Sequence, residues 1–90
     1  MDNNTLITAA FQQAVVESKQ LPSKPDNDTL LKLYSLYKQA TDGDAPATSD
    51  AGMFDFVAAA KYNAWHAIRG KDKEEAMKDY MALVADLKAK

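Results

Sequence analysis

The sequence contains no cysteine and only one histidine, three glycines and three prolines. Without cysteine there is no disulfide framework, so the fold depends on packing alone. Structural zinc sites are built from cysteine and histidine ligands, and a single histidine cannot supply such a set. The few glycines form no loop ending in Gly-Lys-Ser or Gly-Lys-Thr, which excludes a P-loop nucleotide site.

Long apolar runs and an excess of basic charge are also absent. No stretch approaches the roughly 20 apolar residues of a membrane-spanning helix, and the N-terminal MDNNTLITAAF lacks the basic and apolar regions of a signal peptide. We therefore expect a cytoplasmic protein without stable membrane insertion. The chain carries 11 basic and 13 acidic residues, for a net charge of −2. Proteins that bind duplex nucleic acid usually carry a clear basic excess, so we expect no nucleic-acid partner.

The sequence offers no catalytic machinery either. Its only histidine, His66, stands in no recognisable triad context. Most carboxylates lie at predicted helix starts and on polar faces, where capping and solvation explain them. We therefore expect a binding protein and not an enzyme, and we assign no catalytic residue.

A calcium site is the one metal site that the sequence invites, through Asp42, Asp44 and Asp50. The EF-hand loop needs a glycine at its sixth position and a glutamate at its twelfth. This chain has Ala47 and Met53 at those positions. Helix capping and turn chemistry explain the aspartates, so we expect no bound metal.

Apolar residues recur at helical spacing along the chain. The first amphipathic helix covers about four turns and ends near Lys19 or Gln20. Pro22 and Pro25 then forbid its continuation. Asp26 to Asp28 provide the cap of the second helix.

The second half of the chain predicts two further helices. The third helix runs from about Met53 to Arg69, and the fourth begins after Asp72, where Glu75 completes a capping box. No strand pattern is present, so the sequence predicts an all-α four-helix bundle in one domain, residues 1–90. The long loop from Gly43 to Gly52 leaves the order of helix directions open.

The most informative stretch is LLKLYSLYKQATDGD, Leu30 to Asp44. Tyr34, Tyr37 and Lys38 share a helical face there, which puts two phenol rings and an ammonium group within reach of one ligand. Such a surface suits a flat ring that carries a phosphate, although tyrosines at this spacing also occur as core residues. Lys61 interrupts the apolar face of the third helix, either as a cation aimed at a bound anion or as a lysine whose stem covers the core.

The chain resembles the acyl-CoA-binding protein family in four segments, which are SKPDNDTLL (Ser23 to Leu31), YSLYKQATDGD (Tyr34 to Asp44), FVAAAKYNAWHAIRG (Phe56 to Gly70) and KEEAMKDYMALV (Lys73 to Val84). Together they cover essentially the whole chain. The resemblance implies a four-helix bundle with up-down-down-up topology. It also implies a non-catalytic intracellular carrier and pool former for medium- and long-chain fatty acyl-CoA esters. Acyl-CoA is then the ligand, with no separate cofactor, and we expect a monomer that serves acyl-CoA-producing or acyl-CoA-consuming enzymes.

The same resemblance implies roles for individual residues. Tyr34, Lys38 and Lys61 match the positions that hold the ribose 3′-phosphate. Tyr37 matches the residue that meets the adenine ring. Tyr80 matches a fourth-helix tyrosine that lines the ligand site, although its place in an apolar stripe also fits core packing.

Four further positions complete the implied site. Lys19 and Lys24 match basic positions near the head group. Ala10 and Leu31 match apolar positions along the acyl chain, which lies in a groove between helices.

The sequence departs from the family pattern at four positions. Val57 and Ala59 stand where lysine is frequent, so we expect fewer local cations and head-group binding that is either weaker or more sensitive to salt. Tyr62 stands where tryptophan is usual, and a largely apolar contact tolerates that change. Asp42 replaces a common apolar residue, and its charge opposes an anionic ligand if it faces the site.

A protein–protein interaction module is the alternative from another functional class, because the same groove suits an amphipathic partner helix. A peptide groove does not need Lys38 and Lys61 to converge on an aromatic pair, which favours the acyl-CoA interpretation. Hydrolysis of the thioester is a weaker third alternative, and release of free thiol from acyl-CoA would support it.

Overall fold

The computed structural model describes residues 3–49 and 51–90. Over these residues the chain forms helices without strands, and the all-α prediction is confirmed. The four helices are α1 (Asn3–Ser18), α2 (Asn27–Asp42), α3 (Phe56–Ala67) and α4 (Lys73–Lys88). No helix in this described part of the chain is both long enough and apolar enough to cross a membrane.

Aspartate side chains cap the starts of α2 and α3. Asp26 accepts a hydrogen bond from the Thr29 N–H at 2.8 Å, as predicted for α2. Asp55 accepts one from the Ala58 N–H at 3.0 Å. The Asp55 cap was not predicted, and it explains why α3 begins later than its apolar spacing suggests.

The start of α4 differs from its prediction. Asp72 has the extended backbone of a capping residue, with φ −63° and ψ 144°, but its side chain makes no capping hydrogen bond. The predicted capping box with Glu75 is therefore wrong. Glu74 and Glu75 still lie in the first turn of α4, where negative charge is favoured by the helix dipole.

α1 and α4 run parallel to each other. Near their starts, Ile7 and Lys73 line the same shallow cavity. Near their ends, the Lys88 ammonium lies 3.1 Å from a Glu17 carboxylate oxygen. Corresponding ends of the two helices therefore lie side by side.

α2 runs antiparallel to α4 and parallel to α3. The last turn of α2 meets the start of α4, where Gln39 Nε2 donates to the Lys71 carbonyl at 2.8 Å. Lys61 of α3 lies over Tyr34 of α2. One turn later on both helices, Lys38 of α2 lies over Trp65 of α3. These directions give the expected up-down-down-up order.

The long connection between α2 and α3 follows from this topology. Two consecutive parallel helices need a connection that returns along the bundle, and the 16 residues of α2 span roughly 24 Å. The segment from Gly43 to Asp55 is long enough to cover that distance in an extended form. Gly43 begins it with φ 83°, a conformation that glycine adopts without steric cost.

Three of the four helices build the hydrophobic core. α1, α2 and α4 supply its buried apolar residues, which are Phe11, Ala14, Leu33, Leu36, Ala40, Ala76, Tyr80 and Val84. α3 contributes no buried residue. α3 therefore packs on one side of α2 as an outer layer, and the core lies on the other side.

Two polar residues of α2, Ser35 and Gln39, are also buried. Ser35 Oγ donates to the Lys32 carbonyl within the helix at 2.9 Å. Gln39 Nε2 donates to Asp44 Oδ1 at 2.8 Å as well as to the Lys71 carbonyl. Gln39 therefore ties the end of α2 to the start of α4.

Candidate functional site

Two grooves meet on the surface of α2. The tyrosine groove, with a volume of about 440 Å³, lies among α1, α2 and α4, and its lining includes Lys19, Leu30, Leu33, Tyr34, Tyr37 and Tyr80. The α2–α3 groove, of about 430 Å³, has a lining that includes Leu30, Leu31, Tyr34, Phe56, Val57 and Lys61. Leu30 and Tyr34 line both, so the grooves form one continuous surface with Tyr34 at the junction.

Lys61 and Tyr34 form the first contact between a lysine and an aromatic ring across α2 and α3. The Lys61 ammonium lies 5.3 Å from the centroid of the Tyr34 ring. This is within the range of a cation–π interaction, which holds the ammonium over the face of the ring. Lys61 remains exposed, so its ammonium is accessible to an anion in the groove.

Lys38 and Trp65 form the second contact, one turn further along both helices. The Lys38 ammonium lies 4.9 Å from the centroid of the Trp65 ring. Trp65 is held in place because its Nε1 donates to the Gly43 carbonyl at 2.8 Å. The two ammonium groups therefore come from opposite helices and lie about one helical turn apart along the same interface.

Lys38 also has an acidic partner. Its ammonium lies 2.5 Å from Asp42 Oδ2, one turn later on α2. The hydrogen bond that Lys38 donates to Asp42 raises the pKa of Lys38 above its ordinary value. The same hydrogen bond lowers the pKa of Asp42. Both groups are therefore charged at neutral pH, and Asp42 places a carboxylate directly beside a predicted phosphate-binding cation.

Tyr37 and Tyr80 lie in the tyrosine groove. Tyr37 is 38% exposed and stacks on Phe11, with 6.0 Å between ring centroids. Tyr80 is buried against Phe11, and its hydroxyl donates to Ser18 Oγ at 3.0 Å. Tyr80 thus belongs to the core and forms the floor of the groove, while Tyr37 offers an accessible ring above it.

The structure brings together most of the predicted site residues but not all of them. Lys19 lies at the exposed rim of the tyrosine groove, and Leu31 lines the α2–α3 groove. Lys24 and Ala10 are exposed and belong to the lining of neither groove. Lys38 lines neither groove either, although its ammonium lies over the Trp65 ring at the α2–α3 interface. Their assigned roles stay predictions.

An apolar patch at the start of α3 was not included in the predicted site. Met53, Phe54, Phe56 and Val57 are 86%, 80%, 74% and 67% exposed, and the last two line the α2–α3 groove. The signal was present in the sequence, because MFDFV is too densely apolar for one helix to bury all of it on one face. Residues of this kind, left uncovered beside a groove, often mark a binding surface.

The connection between α2 and α3 lies against the same interface. The Tyr62 hydroxyl donates to the Pro46 carbonyl at 2.5 Å. Tyr62 therefore ties α3 to this connection through a hydrogen bond. Asp44 Oδ1 accepts from the Gly70 N–H at 2.8 Å as well as from Gln39. The turn at Asp44 thus links the end of α2 to the end of the α3 segment.

Metal binding finds no support in the described residues. They contain no group of three or more histidine, aspartate and glutamate side chains that could hold an ion. Asp50, one of the aspartates of the calcium alternative, lies outside the described residues. Asp42 pairs with Lys38, and Asp44 accepts from Gln39 and Gly70, so their partners are other than the predicted helix-capping and local turn contacts.

Comparison with known proteins gives consistent matches over nearly the whole chain. The family model described as "Acyl CoA binding protein" matches residues 8–84. The chain is 46% identical over 84 residues to "Acyl-CoA-binding protein homolog 1" of Caenorhabditis elegans, covering 93% of this chain and 96% of that protein. It is 41% identical over 85 residues to "Acyl-CoA-binding protein" of Saccharomyces cerevisiae, covering 94% and 97%.

Solved structures match in the same way. The crystal structure of Oryza sativa Acyl-CoA-Binding Protein 2 superposes with a TM-score of 0.82 at 41% identity, covering 90% of this chain and 89% of that one. The crystal structure of the protein titled ACBP from Moniliophthora perniciosa gives a TM-score of 0.80 at 34% identity, covering 89% and 78%. The sequence and structural matches therefore agree on one family and one fold.

Proposed function

Because the chain belongs to the acyl-CoA-binding protein family, we propose that it binds medium- and long-chain fatty acyl-CoA esters and carries them as an intracellular pool. The observation that supports this most directly is the continuous surface around Tyr34. Lys61, Tyr34 and Tyr37 line that surface beside its apolar part. The Lys38 ammonium lies next to it, over the Trp65 ring. A fatty acyl-CoA has the complementary parts, namely an adenine ring, several phosphate charges and a long apolar chain.

The head group occupies the end of the surface where the cations lie. Lys61 and Lys38 hold the ribose 3′-phosphate together with the Tyr34 hydroxyl, since ammonium-to-phosphate hydrogen bonds are stronger than neutral ones. Tyr37, with its ring partly exposed, stacks on the adenine ring, and such stacking adds about 1–3 kcal/mol per base in nucleic-acid complexes. Lys19 supplies a further cation at the rim.

The acyl chain occupies the α2–α3 groove. Leu31, Phe56 and Val57 line it, and Val57 provides apolar surface where lysine is frequent in the family. Each methylene group removed from water contributes about 0.8 kcal/mol. Affinity therefore rises with chain length until the groove is full.

The proposed role is non-catalytic. The family is one of binding proteins, which the names of the relatives reflect. His66, the only histidine, lies beside Arg69, with 3.3 Å between its Nδ1 and the Arg69 Nη1, and it lines neither groove. We further propose that the protein works in the cytoplasm as a monomer and exchanges its ligand with enzymes that make or use acyl-CoA.

Calorimetric titration tests this function. The protein is titrated with hexadecanoyl-CoA, then with free palmitate and with coenzyme A alone. We expect tight binding of the thioester and weaker binding of both fragments, because only the thioester fills the cationic end and the apolar groove together. Equal or tighter binding of palmitate would contradict the assigned cationic site.

The only tryptophan of the chain provides a second measurement. Trp65 lies under the Lys38 ammonium, so binding of a phosphate by Lys38 changes the environment of the indole. We expect a saturable change in its fluorescence with hexadecanoyl-CoA at the concentrations that saturate the calorimetric signal. Absence of binding to all three compounds in the calorimeter would refute the proposed function and favour the protein–protein alternative.

A further inference from the structure

The Lys38–Asp42 pair works against an anionic ligand. Asp42 lies in the last turn of α2, and its Oδ2 is 2.5 Å from the Lys38 ammonium. The side chain of Asp42 is 51% exposed and that of Lys38 is 27% exposed. The pair is therefore accessible from solvent and sits at the end of the surface where the head group binds.

The surroundings of Lys38 limit how it can meet a phosphate. One side of its ammonium faces the Trp65 ring, and the carboxylate of Asp42 occupies another. A phosphate that approaches the remaining donor meets the negative charge of Asp42 on the same ammonium, and like charges at this separation repel. Binding is therefore tighter when the carboxylate gives way.

Asp42 has a second cation nearby that makes such a displacement feasible. The Lys73 side chain passes close to Gly43, the residue after Asp42. A Cβ atom placed on Gly43 would lie 3.5 Å from Lys73 Cε. The charge of Lys73 also lowers the pKa of Asp42, although less than the Lys38 hydrogen bond does. A carboxylate released from Lys38 thus remains in a favourable electrostatic environment.

We propose that Asp42 is an intramolecular competitor for the ligand's 3′-phosphate: it holds Lys38 in the free protein and yields that ammonium when acyl-CoA binds. This inference rests on the proposed function. It assigns a regulatory role to a residue that touches the ligand only through Lys38. Its consequence is a lower affinity than the cations alone would give, which suits a carrier that must release its ligand.

The test compares Asp42→Asn with the wild-type protein on two ligands, hexadecanoyl-CoA and its 3′-dephospho analogue. The variant removes the charge and keeps the shape of the side chain. We expect about two- to fivefold tighter binding of hexadecanoyl-CoA, in the range measured for exposed charge pairs. Binding of the dephospho analogue should change by less than about twofold, because that ligand lacks the competing group.

Three further variants separate this role from other causes. Asp86→Asn removes the same charge from an exposed position that lines a different groove, and it should bind both ligands as the wild type does. Asp42→Glu keeps the charge and should not tighten binding. In the Lys38→Ala background, Asp42→Asn should give no gain, because the proposed competition acts through Lys38.

An unchanged or lower affinity of Asp42→Asn for hexadecanoyl-CoA would overturn the inference. An equal gain for both ligands would do so too, since it would indicate a general charge effect. Failure of the proposed function is distinct from both results, because it would be seen in the wild-type titration alone.

Discussion

The two faces of α2 differ in what covers them. On one face Leu33, Leu36 and Ala40 are buried against α1 and α4. On the other face α2 meets α3, which contributes no buried residue and leaves Phe56 and Val57 largely exposed. The first face carries the core, and the second carries an incomplete apolar surface with cations at one end.

This difference indicates how a small chain combines stability with binding. A domain of 90 residues has a modest core, so it cannot leave many core residues uncovered. Here the most exposed large apolar side chains lie at and just before the start of α3, and a ligand can cover those that line the α2–α3 groove without disturbing the core. α3 has no buried side chain at its interface with α2. It is held there by hydrogen bonds from Trp65 to the Gly43 carbonyl and from Tyr62 to the Pro46 carbonyl.

The largest expected effect is on the free energy of unfolding, when the same substitution is made in the core and on the exposed surface of α3. Phe11 is 0% exposed and Phe56 is 74% exposed. Phe11→Ala should lower the free energy of unfolding by about 3–5 kcal/mol through loss of burial and a cavity. Phe56→Ala should change it by less than about 0.5 kcal/mol. Denaturant unfolding followed by circular dichroism measures both.

If Phe11→Ala does not fold, the milder pair Phe11→Leu and Phe56→Leu gives the same comparison. The first should lose about 1–2 kcal/mol, because part of the apolar volume is kept. Equal losses at the two positions would show that α3 shares the core with the other helices, contrary to its exposed surface.

The second expected effect concerns the cations on the α3-facing side. Lys61→Ala and Lys38→Ala should each weaken hexadecanoyl-CoA binding by about 1–3 kcal/mol, the range for hydrogen bonds to charged groups. The fold should survive in both, since neither side chain is buried. Calorimetry measures the affinities.

Lys32→Ala is the matched control for these two variants. Lys32 is an exposed lysine of α2, but it lines a separate groove between α2 and α4. Its removal should leave binding within about 0.5 kcal/mol of the wild type. A loss at Lys32 as large as at Lys61 would indicate nonspecific attraction between the ligand and positive charge.

A third, smaller effect should appear in the apolar groove. Phe56→Ala is expected to weaken hexadecanoyl-CoA binding by about 1 kcal/mol, because the acyl chain then covers less apolar surface. Butanoyl-CoA should bind this variant and the wild type equally, because its chain is too short to reach Phe56. Titration of both proteins with both esters tests the assignment, and an equal loss for the two esters would place the chain elsewhere.

The smallest expected effect is on stability, and it concerns the turn at Asp44, which links the end of α2 to the end of the α3 segment. The Gly70 N–H and the Gln39 side chain lower the pKa of Asp44 from its ordinary value of 3.8. A lowered pKa in the folded state means that the stabilisation is complete above 3.8 and is lost as the pH falls through the lowered value. Asp44→Ala should therefore lower the midpoint of thermal unfolding by a few degrees at neutral pH and by less in strong acid.

Thermal unfolding of Asp44→Ala and the wild type at several pH values measures how the difference between their unfolding midpoints decreases as the pH falls. Asp86→Ala is the control, since Asp86 is an exposed aspartate of α4. A difference between Asp44→Ala and the wild type that stays constant down to strong acid would show that the charge of Asp44 does not matter.

The sequence predicted the helices better than their ends. Periodic apolar residues and two prolines located all four helices, and the Asp26 cap was predicted correctly. Asp55 was missed because the apolar residues around it extend the helical pattern past the true start of α3. The capping box at Asp72 was wrong, since a matching pair of residue types does not ensure that the side chain forms the bond.

The spacing of apolar residues did not predict which polar residues are buried. Gln39 is 1% exposed although its type predicts a surface position. Its partners explain the burial, because one lies in the turn at Asp44 and the other is the Lys71 carbonyl, which is distant in sequence. Local spacing carries no information about such contacts.

The candidate site followed largely from the family resemblance. Tyr34, Lys61 and Leu31 were named in advance, and the structure gathers them around one surface. The spacing also put Tyr37 and Lys38 on one face with Tyr34, but Tyr37 turns toward α1 and Lys38 toward α3. Which neighbour each side chain meets depends on how the helices pack, and periodicity alone does not give that.

The most direct test of the binding surface is a titration of isotope-labelled protein with hexadecanoyl-CoA, followed by amide chemical shifts. The largest changes should fall in residues 30–38 of α2 and 56–65 of α3, while Lys71, Asp79 and Asp86, which line the groove between α2 and α4, should change little. Shifts centred on that second groove, or spread evenly over all four helices, would contradict a ligand site between α2 and α3.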